Sequence, residues 1–345
     1  MERAELLNPK KNPSLAHIDI VLLLARRCEE ITGRIAAFIN HRHIAYHADS
    51  AGHFGLFDVV AAEDDETRQA LLQAASEWVS AKGMSRIAGP FDLSVNDECG
   101  QLLKGFDTPP SVLMPYGREA DCEGLERAGF GKAMDMYALR HNMGDVFSLP
   151  PVVAKLKARC DADPSITVRP VNLSHFEDDI ALLIDIFNDA WSQNWGFIPL
   201  TDAEVAHMAS SMRPVLRSDG LWIASIDGEP VSFTLMLPNL NEAIYDLNGR
   251  LLPFGWAKLL YRLKLSKLRT GRIPLAGTKT RVHKTRRGLT ATVGAWDACL
   301  RAQHARGIRE VEFSWVLETN RDLLGLADIY QCERYKTYRI YEKAL

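Results

Sequence analysis

Apolar positions along this chain alternate in short runs and recur at helical spacing in longer ones, and the sequence of run types occurs twice. Gly33–Asn40 (GRIAAFIN) and Phe54–Ala61 carry strand-like alternation, while Ile18–Cys28 reads as either an opening strand or a short helix. A helix is predicted from the acidic group Glu63–Glu66, which suits the positive end of a helix dipole, to about Lys82, with Gly83 as its stop. Strand Ser85–Gly89, an irregular stretch Pro90–Gly117, helix Glu119–Ala128 and strand Lys132–Arg140 follow. Pro150, Pro151 and Pro164 flank one short helical piece, so 142–165 is predicted as a linker. Beyond it the pattern gives strand Ile166–Pro170, helix Phe176–Gln193 and a helix near Asp202–Met212 capped by Thr201. Leu221–Ile226 and Pro230–Leu237 flank Asp227-Gly228, a hairpin signal. Strand Ile273–Val282, helix Thr290–Arg306, strand Glu310–Val316, a short helix from Asn320 and strand Tyr335–Glu342 close the chain.

Two phrases echo between the halves. AKGMSRIAGP (81–90) and ARGIREVEFS (305–314) each end an alanine-rich helical stretch and open a strand. GKAMDMY (131–137) and YKTYRIY (335–341) match Lys132 with Lys336 and Tyr137 with Tyr341. The ordered pair predicts one αβ unit used twice, hence an α+β protein with domains 1–141 and 166–345.

At 345 residues the length suits two domains. A net charge of −3 gives no global reason to expect nucleic acid or an anionic membrane as partner. The six cysteines show no CxxC spacing and read as reduced thiols, which predicts a cytoplasmic protein. The N-terminus lacks an apolar signal core, and Ile18–Ala25 is too short to span a bilayer.

The order strand, two helices, hairpin, strand, long helix, strand, helix, strand in the second half resembles the Gcn5-related N-acetyltransferase (GNAT) fold. Leu125–Phe130 (LERAGF) carries the same superfamily's LxxxGF ending in the first half. NDECGQLLKGFDTPP, FNDAWSQNWGF, NGRLLPFG, FSWVLETN and RYKTYRIYEKAL resemble a bacterial group of tandem GNAT-like proteins across most of 33–345. The resemblance implies acetyl-CoA or another acyl-CoA as donor and a small-molecule or peptide amine as acceptor. The cofactor pyrophosphate is then expected at the start of the long helix, with pantetheine paired to Thr278–His283. That assigns Thr280, Val282, His283, Arg286, Arg287, Gly288, Leu289 and Thr290 to the cofactor, with Asn320 beside it. The superfamily loop R/Q-x-x-G-x-G/A is only partly present, because Thr290 and Thr292 stand at its small positions. Either those hydroxyls contact phosphate or cap the helix, or the loop is a basic solvated helix entry. The first half has acids at the equivalent helix start, so no CoA is expected there.

The same resemblance makes Tyr330 a candidate acid for the departing thiolate, with Tyr335 and Tyr338 as competitors, and Glu318 a candidate base. Core packing is the other reading of Tyr330. Glu312 reads either as a base or as a solvated strand residue. Asn188, Trp191, Asn194 and Trp195 border the expected acceptor site, the two tryptophans on one helix face at i,i+4. His41, His43, His47 and His53 lack a HExxH pattern, so they are read as loop histidines and no metal is expected. The segment Asn96–Gly100 reads equally as site or turn. Leu251–Arg272 mixes apolar residues with six basic ones. It is expected to cover the second domain with its apolar face and keep its lysines wet; an interfacial helix or a lid are the other readings. A non-catalytic GNAT-fold binding protein and an aminoacyl-tRNA-dependent transferase remain the alternative functions.

Overall fold

The computed structural model describes residues 5–213, 216–247, 252–264 and 268–345. The first half runs β1 (Ile18–Arg27), β2 (Glu30–Asn40), α1 (His41–His47), β3 (Ala51–Val59), α2 (Asp65–Ala81), β4 (Arg86–Gly89), β5 (Gln101–Lys104), α3 (Glu119–Arg127) and β6 (Gly131–Asn142). The second runs α4 (Pro151–Ala162), β7 (Ile166–Pro170), α5 (Phe176–Trp191), α6 (Asp202–Met212), β8 (Leu221–Ile226), β9 (Glu229–Pro238), α7 (Leu240–Ile244) and α8 (Gly255–Lys264). It closes with β10 (Thr270–Thr278), α9 (Thr280–His283), α10 (Arg286–Ala305), β11 (Glu310–Leu317), α11 (Arg321–Ile329) and β12 (Glu333–Ala344).

The local signals form where the pattern puts them. Asp64 caps α2 by accepting from the Thr67 amide, and Gly83 takes a φ of +81° just past the helix. Thr201 and Glu204 exchange side-chain bonds across the first turn of α6, a capping box. Asp227 and Gly228 both have positive φ (54° and 83°), which turns β8 into β9 with the twist a two-residue hairpin requires.

Other elements differ from the pattern. His41–His47 is a helix rather than a loop, because Asn40 Oδ1 accepts from the amides of Arg42 and His43. The irregular stretch 90–117 contains β5, which pairs with β12. The predicted linker is helical over twelve residues and is part of a core: Gly294 of α10 lies so close that an added Cβ would sit 2.6 Å from Cys160 Sγ. β10 stops at Thr278, four residues short of the predicted strand, and Val282 and His283 belong to α9.

The chain folds as two compact units, and neither is a single stretch of sequence. Unit 1 holds residues Met1–Tyr137, Asn194–His207 and Tyr335–Leu345; unit 2 holds Ala138–Gln193 and Met208–Arg334. In unit 1 β1, β2 and β3 form a meander, β3 runs parallel to β4, and β12 pairs antiparallel to β4 from Tyr341↔Gly89 to Ala344↔Arg86. Helix α2 packs Leu71, Leu72, Ala75 and Val79 against Ile35, Ile39, Phe54, Ile87 and Tyr341. In unit 2 β7, β8, β9 and β10 are antiparallel neighbours and β10 joins β11 in parallel. The core there joins Ala291 and Ala295 of α10 with Cys160, Ile166, Ala224, Ile226 and Val231.

The duplicated closing strands, β6 and β12, are both twelve residues long and share their burial pattern over the first ten positions, counted from Gly131 and Glu333. The match in burial is two residues out of step with the Lys132–Lys336 echo. A two-residue shift keeps each side chain on the same face of a strand, so the textual echo still selects the right face.

Gly55 of β3 is fixed by close approach: a Cβ there would lie 1.6 Å from the Phe91 carbonyl oxygen. Gly55→Ala is expected to destabilise the protein by about 3 kcal/mol, the upper end of overpacking costs. Urea unfolding checks this, and an unchanged midpoint would mean that the Phe91 strap moves freely.

Candidate active site

Unit 2 opens between two of its parallel strands. β10 and β11 are in register only from Thr270↔Glu310 to Ile273↔Phe313. Beyond that point β10 continues against β9 alone, with a register irregularity between Arg272 and Leu275, while β11 runs on to Leu317. Three buried polar side chains sit where the strands separate. Arg272 (3% exposed) donates from Nε to Ser314 Oγ at 2.8 Å and from Nη2 to the Ser314 carbonyl at 3.0 Å, and lies 3.7 Å from the Glu312 carboxylate. The Ser314 hydroxyl in turn donates to Glu312. Glu312 is therefore a buried, ion-paired residue rather than a solvated one.

The end of β10 is tied to the start of α10 by hydroxyls. Ser232 Oγ lies 3.0 Å from Thr278 Oγ1, which lies 2.7 Å from Thr292 Oγ1; Thr292 then donates to the Gly288 carbonyl at 2.9 Å. Thr290 donates to the Arg286 carbonyl at 2.7 Å. Both threonine hydroxyls thus turn back into their own helix, a usual habit of mid-helix threonine, and not outward to a phosphate. Thr285 caps α10 through the Gly288 amide, and the Val282 carbonyl is held by the Thr285 amide and hydroxyl. Gly288 is required there, since a Cβ would lie 2.0 Å from the Val282 carbonyl oxygen. Thr280 is bound through amide and hydroxyl to Asp189 of α5. The amides of Arg286 and Arg287, in the exposed first turn of α10, lack a backbone acceptor, the usual state of such groups.

The basic side chains of this loop divide. Arg287 bonds Asp227 at 3.0 Å and Ser165, Arg281 bonds Glu229, and His283 Nε2 is 2.8 Å from Asp322 of α11. Lys284 and Arg286 are exposed. Leu289 is 38% exposed on the same turn. Asn320 is the cap of α11, accepting from the Leu323 amide. At the corresponding place in unit 1, Asp64 caps α2, Arg27 pairs with Asp64 and Glu66, and Arg127 pairs with Asp65.

At the open end of the strands, Trp191 of α5 spans the gap. Its indole N–H donates to the Ala276 carbonyl of β10 at 3.3 Å, and its ring lies 5.7 Å from Trp315 of β11. Asn188, one turn earlier, buries its Oδ1 with no hydrogen-bond donor. Glu318 is half-buried just past β11. Tyr330 is 1% exposed, with its ring 5.8 Å from Trp296 and 5.6 Å from His141 and its hydroxyl without a partner. Burial raises its pKa far above the ordinary phenol value, so in this conformation it is a core residue. Tyr338 is also fully buried. Beside α5, an apolar recess is lined by Leu183, Ile184, Met208, Leu235 and Leu275 among others.

The four acceptor candidates do not form one helix face. α5 ends at Trp191, so Trp195 is not one turn further along it. Asn194 and Trp195 belong to unit 1, where Trp195 stacks on Phe91 at 6.4 Å, while Asn188 and Trp191 belong to unit 2. Residues 194–207 are fastened in unit 1 by His47 Nε2 to the Phe197 carbonyl (2.9 Å), Arg42 to Glu204 (2.9 Å) and Asn96 Nδ2 to the Ile198 carbonyl (3.1 Å). His43 packs 4.5 Å from His47 and 4.7 Å edge-on to His53. Burial lowers the pKa of His43 and, further, of His53. Among the described residues no group of three His, Cys, Asp or Glu is arranged to hold a metal ion.

Sequence reading gave Asp97 no role of its own. Desolvation raises its carboxyl to about 7, opposed by the Ser94 hydroxyl at 2.7 Å and assisted by Asp92, Glu204 and Glu98. The crowding of acids in Ser94–Glu98 is visible in the sequence; Glu204, more than a hundred residues on, is not.

The chain is 39% identical over 348 aligned residues to a Caulobacter vibrioides protein named "Bacterial ceramide synthase", covering 100% of this chain and 89% of that protein. It is 38% identical to Escherichia coli "Protein YghO", covering 100% of this chain and 87% of that one. It belongs to their family. No family model matches the sequence. Among solved structures, a tandem GNAT protein from the clavulanic acid biosynthesis pathway superposes with a TM-score of 0.53 over 95% of this chain and 83% of that one, at 9% identity. The fold of this family member is thus the tandem GNAT fold, α+β with mixed sheets flanked by helices.

Two outcomes follow from the polar burial. Arg272→Met leaves Glu312 buried without its cation and is expected to cost about 3–5 kcal/mol of stability, measured by urea unfolding. For Asp97 a raised carboxyl pKa means that the folded state binds the proton more tightly than the unfolded chain. The stability it contributes is present below about pH 4 and is lost as pH rises towards about 7. Asp97→Asn should flatten that slope and exceed the parent in stability at about pH 8; a parental slope in the variant would assign the effect elsewhere.

Proposed function

We propose that this protein is an N-acyltransferase that moves an acyl group from acyl-CoA to the amine of a long-chain amino alcohol, giving an N-acyl lipid of the ceramide type. The observation that carries the reading is the separation of β10 from β11 next to the free amides at the start of α10. In this fold such a gap leaves strand polar groups for an extended thioester arm. The name of the Caulobacter relative supplies the acceptor class.

In this reading the Arg286 and Arg287 amides, with the Lys284 and Arg286 side chains, hold the pyrophosphate. The fit rests on chain atoms: two amides without a backbone acceptor, two exposed cationic residues, and a loop already shaped by Thr285 and Gly288. Acyl-CoA supplies an activated carbonyl carbon. Asn188 Oδ1, buried without a donor, accepts a hydrogen bond from the incoming amine. Glu318 takes the ammonium proton, the freed nitrogen forms the C–N bond, and the C–S bond breaks. The nitrogen gives up its second proton as the amide forms and the departing thiolate takes one up, so the balance is one amide, one thiol and one proton released. Tyr330 contributes by packing its ring near Trp296 and His141 in this scheme.

Mass spectrometry of amide product and thiol release, over acyl-CoA donors from two to sixteen carbons with sphinganine as acceptor, tests the proposal. The variant with Lys284→Glu and Arg286→Glu is expected to raise KM for acyl-CoA about tenfold, or 1.4 kcal/mol, with unchanged unfolding. Arg287→Glu should also lose stability, because Arg287 holds Asp227. Folded protein that releases no thiol with any donor would overturn the transferase reading; calorimetric acyl-CoA binding without turnover would favour a binding protein.

A further inference from the structure

Helix α8 wears its amphipathicity the wrong way round for a helix that covers a core. Lys258 and Arg262, one turn apart, both reach Asp246, at 2.5 Å each, and Arg262 also donates to the Ala243 carbonyl at 2.8 Å. These polar contacts tie the helix to α7 and the turn after it. The positions on the other side, Trp256 and Leu260, also one turn apart, are 51% and 45% exposed. Tyr261 is 60% exposed, and Leu252 and Phe254, just before the helix, are 79% and 77% exposed. The expectation that Leu251–Arg272 buries its apolar face on the second domain is not met by Leu252, Phe254, Trp256, Leu260 and Tyr261; residue 251 and residues 265–267 lie outside the described residues. Lys258 and Arg262 make the inward contacts because Asp246 is there to receive them, while Trp256, Leu260 and Tyr261 face water and Leu259 is half-buried.

Exposing so much aromatic and aliphatic surface in one ten-residue helix and its approach is unfavourable unless something covers it. Charge selects the occupant. Between 251 and 272 there are six basic residues and no acidic one; Lys258 and Arg262 share Asp246 and Arg272 is buried against Glu312, so the stretch together with those two acids carries a formal charge of +4 in a chain whose net charge is −3. The mixture of Trp, Tyr and Phe with Leu and lysine is the composition of helices that lie in a bilayer interface. Trp256 already satisfies its indole N–H on the Pro253 carbonyl at 2.9 Å, so burying its ring strands no donor. No described helix is long and apolar enough to cross a membrane, so contact would be with the surface.

We propose that α8 and the residues leading into it dock this protein on an anionic phospholipid bilayer, with Leu252, Phe254, Trp256 and Leu260 inserted at the headgroup level. This docking does not depend on the transfer chemistry proposed above.

Co-sedimentation of the full chain with vesicles tests it. Wild type is expected to pellet with equal parts phosphatidylglycerol and phosphatidylcholine, and at least about fivefold less with phosphatidylcholine alone, as roughly one unpaired basic residue at the surface would give. The double variant Phe254→Ser with Trp256→Ser should lose the binding at unchanged unfolding midpoint, since both side chains are exposed. Absence of wild-type binding, or equal binding by the variant, would overturn the proposal. So would a concentration-dependent dimer that the variant abolishes without any vesicle binding, because the face would then be a contact between copies.

Discussion

The candidate active site of unit 2 depends on keeping two neighbouring strands apart. A parallel pair that separates forfeits ladder hydrogen bonds, and a sheet closes such a gap unless something holds it. In unit 2 the holding element is the buried Arg272–Glu312–Ser314 group, placed at the last paired rungs of β10 and β11. A buried ion pair gains little over a well-packed apolar group. Its value is geometric: guanidinium and carboxylate fix one distance and one angle between strands. Trp191 then bridges the open end through the Ala276 carbonyl and Trp315, so the gap has a hinge of charge and a gate of aromatic rings.

The start of α10 is built differently from a glycine-rich phosphate loop. Where small residues would let phosphate approach many amides, this chain spends two hydroxyls on its own helix and keeps one glycine for the close pass under Val282. What remains is a narrower set of donors with flexible cations beside it. In unit 1 the same position is closed by its own caps and arginines.

How much of this could be read from the chain follows from the range of each interaction. The α2 stop at Gly83, the Asp227-Gly228 turn and the Thr201 cap are decided within a few residues, and their signals were plain. The duplicated closing strands were found by a match of letters and came out on the correct face, two residues out of step. The Arg272–Glu312 pair joins residues forty apart, so nothing local marks either as buried. The same holds for β5, which is a strand only because β12 arrives beside it. α8 misled for a related reason: its periodicity was clear, but which face turns inward was decided by Asp246, outside the helix. Val282 and His283 read as strand because they are β-prone, yet Asp189 caps a helical turn there.

The position of β12 has a consequence for how the molecule is made. Residues 335–345 complete unit 1, with Tyr341 in its core and the strand laid against β4. A ribosome releases the first 137 residues long before it reaches these. Through most of translation, then, β4 has one bare edge and the core around Phe54 and Ile87 lacks its last wall, the kind of exposed template that invites wrong pairing. The amino-terminal unit cannot finish folding first, as domains made in sequence usually do. It waits for residues 335–345, so its core closes only after all of unit 2 has left the ribosome.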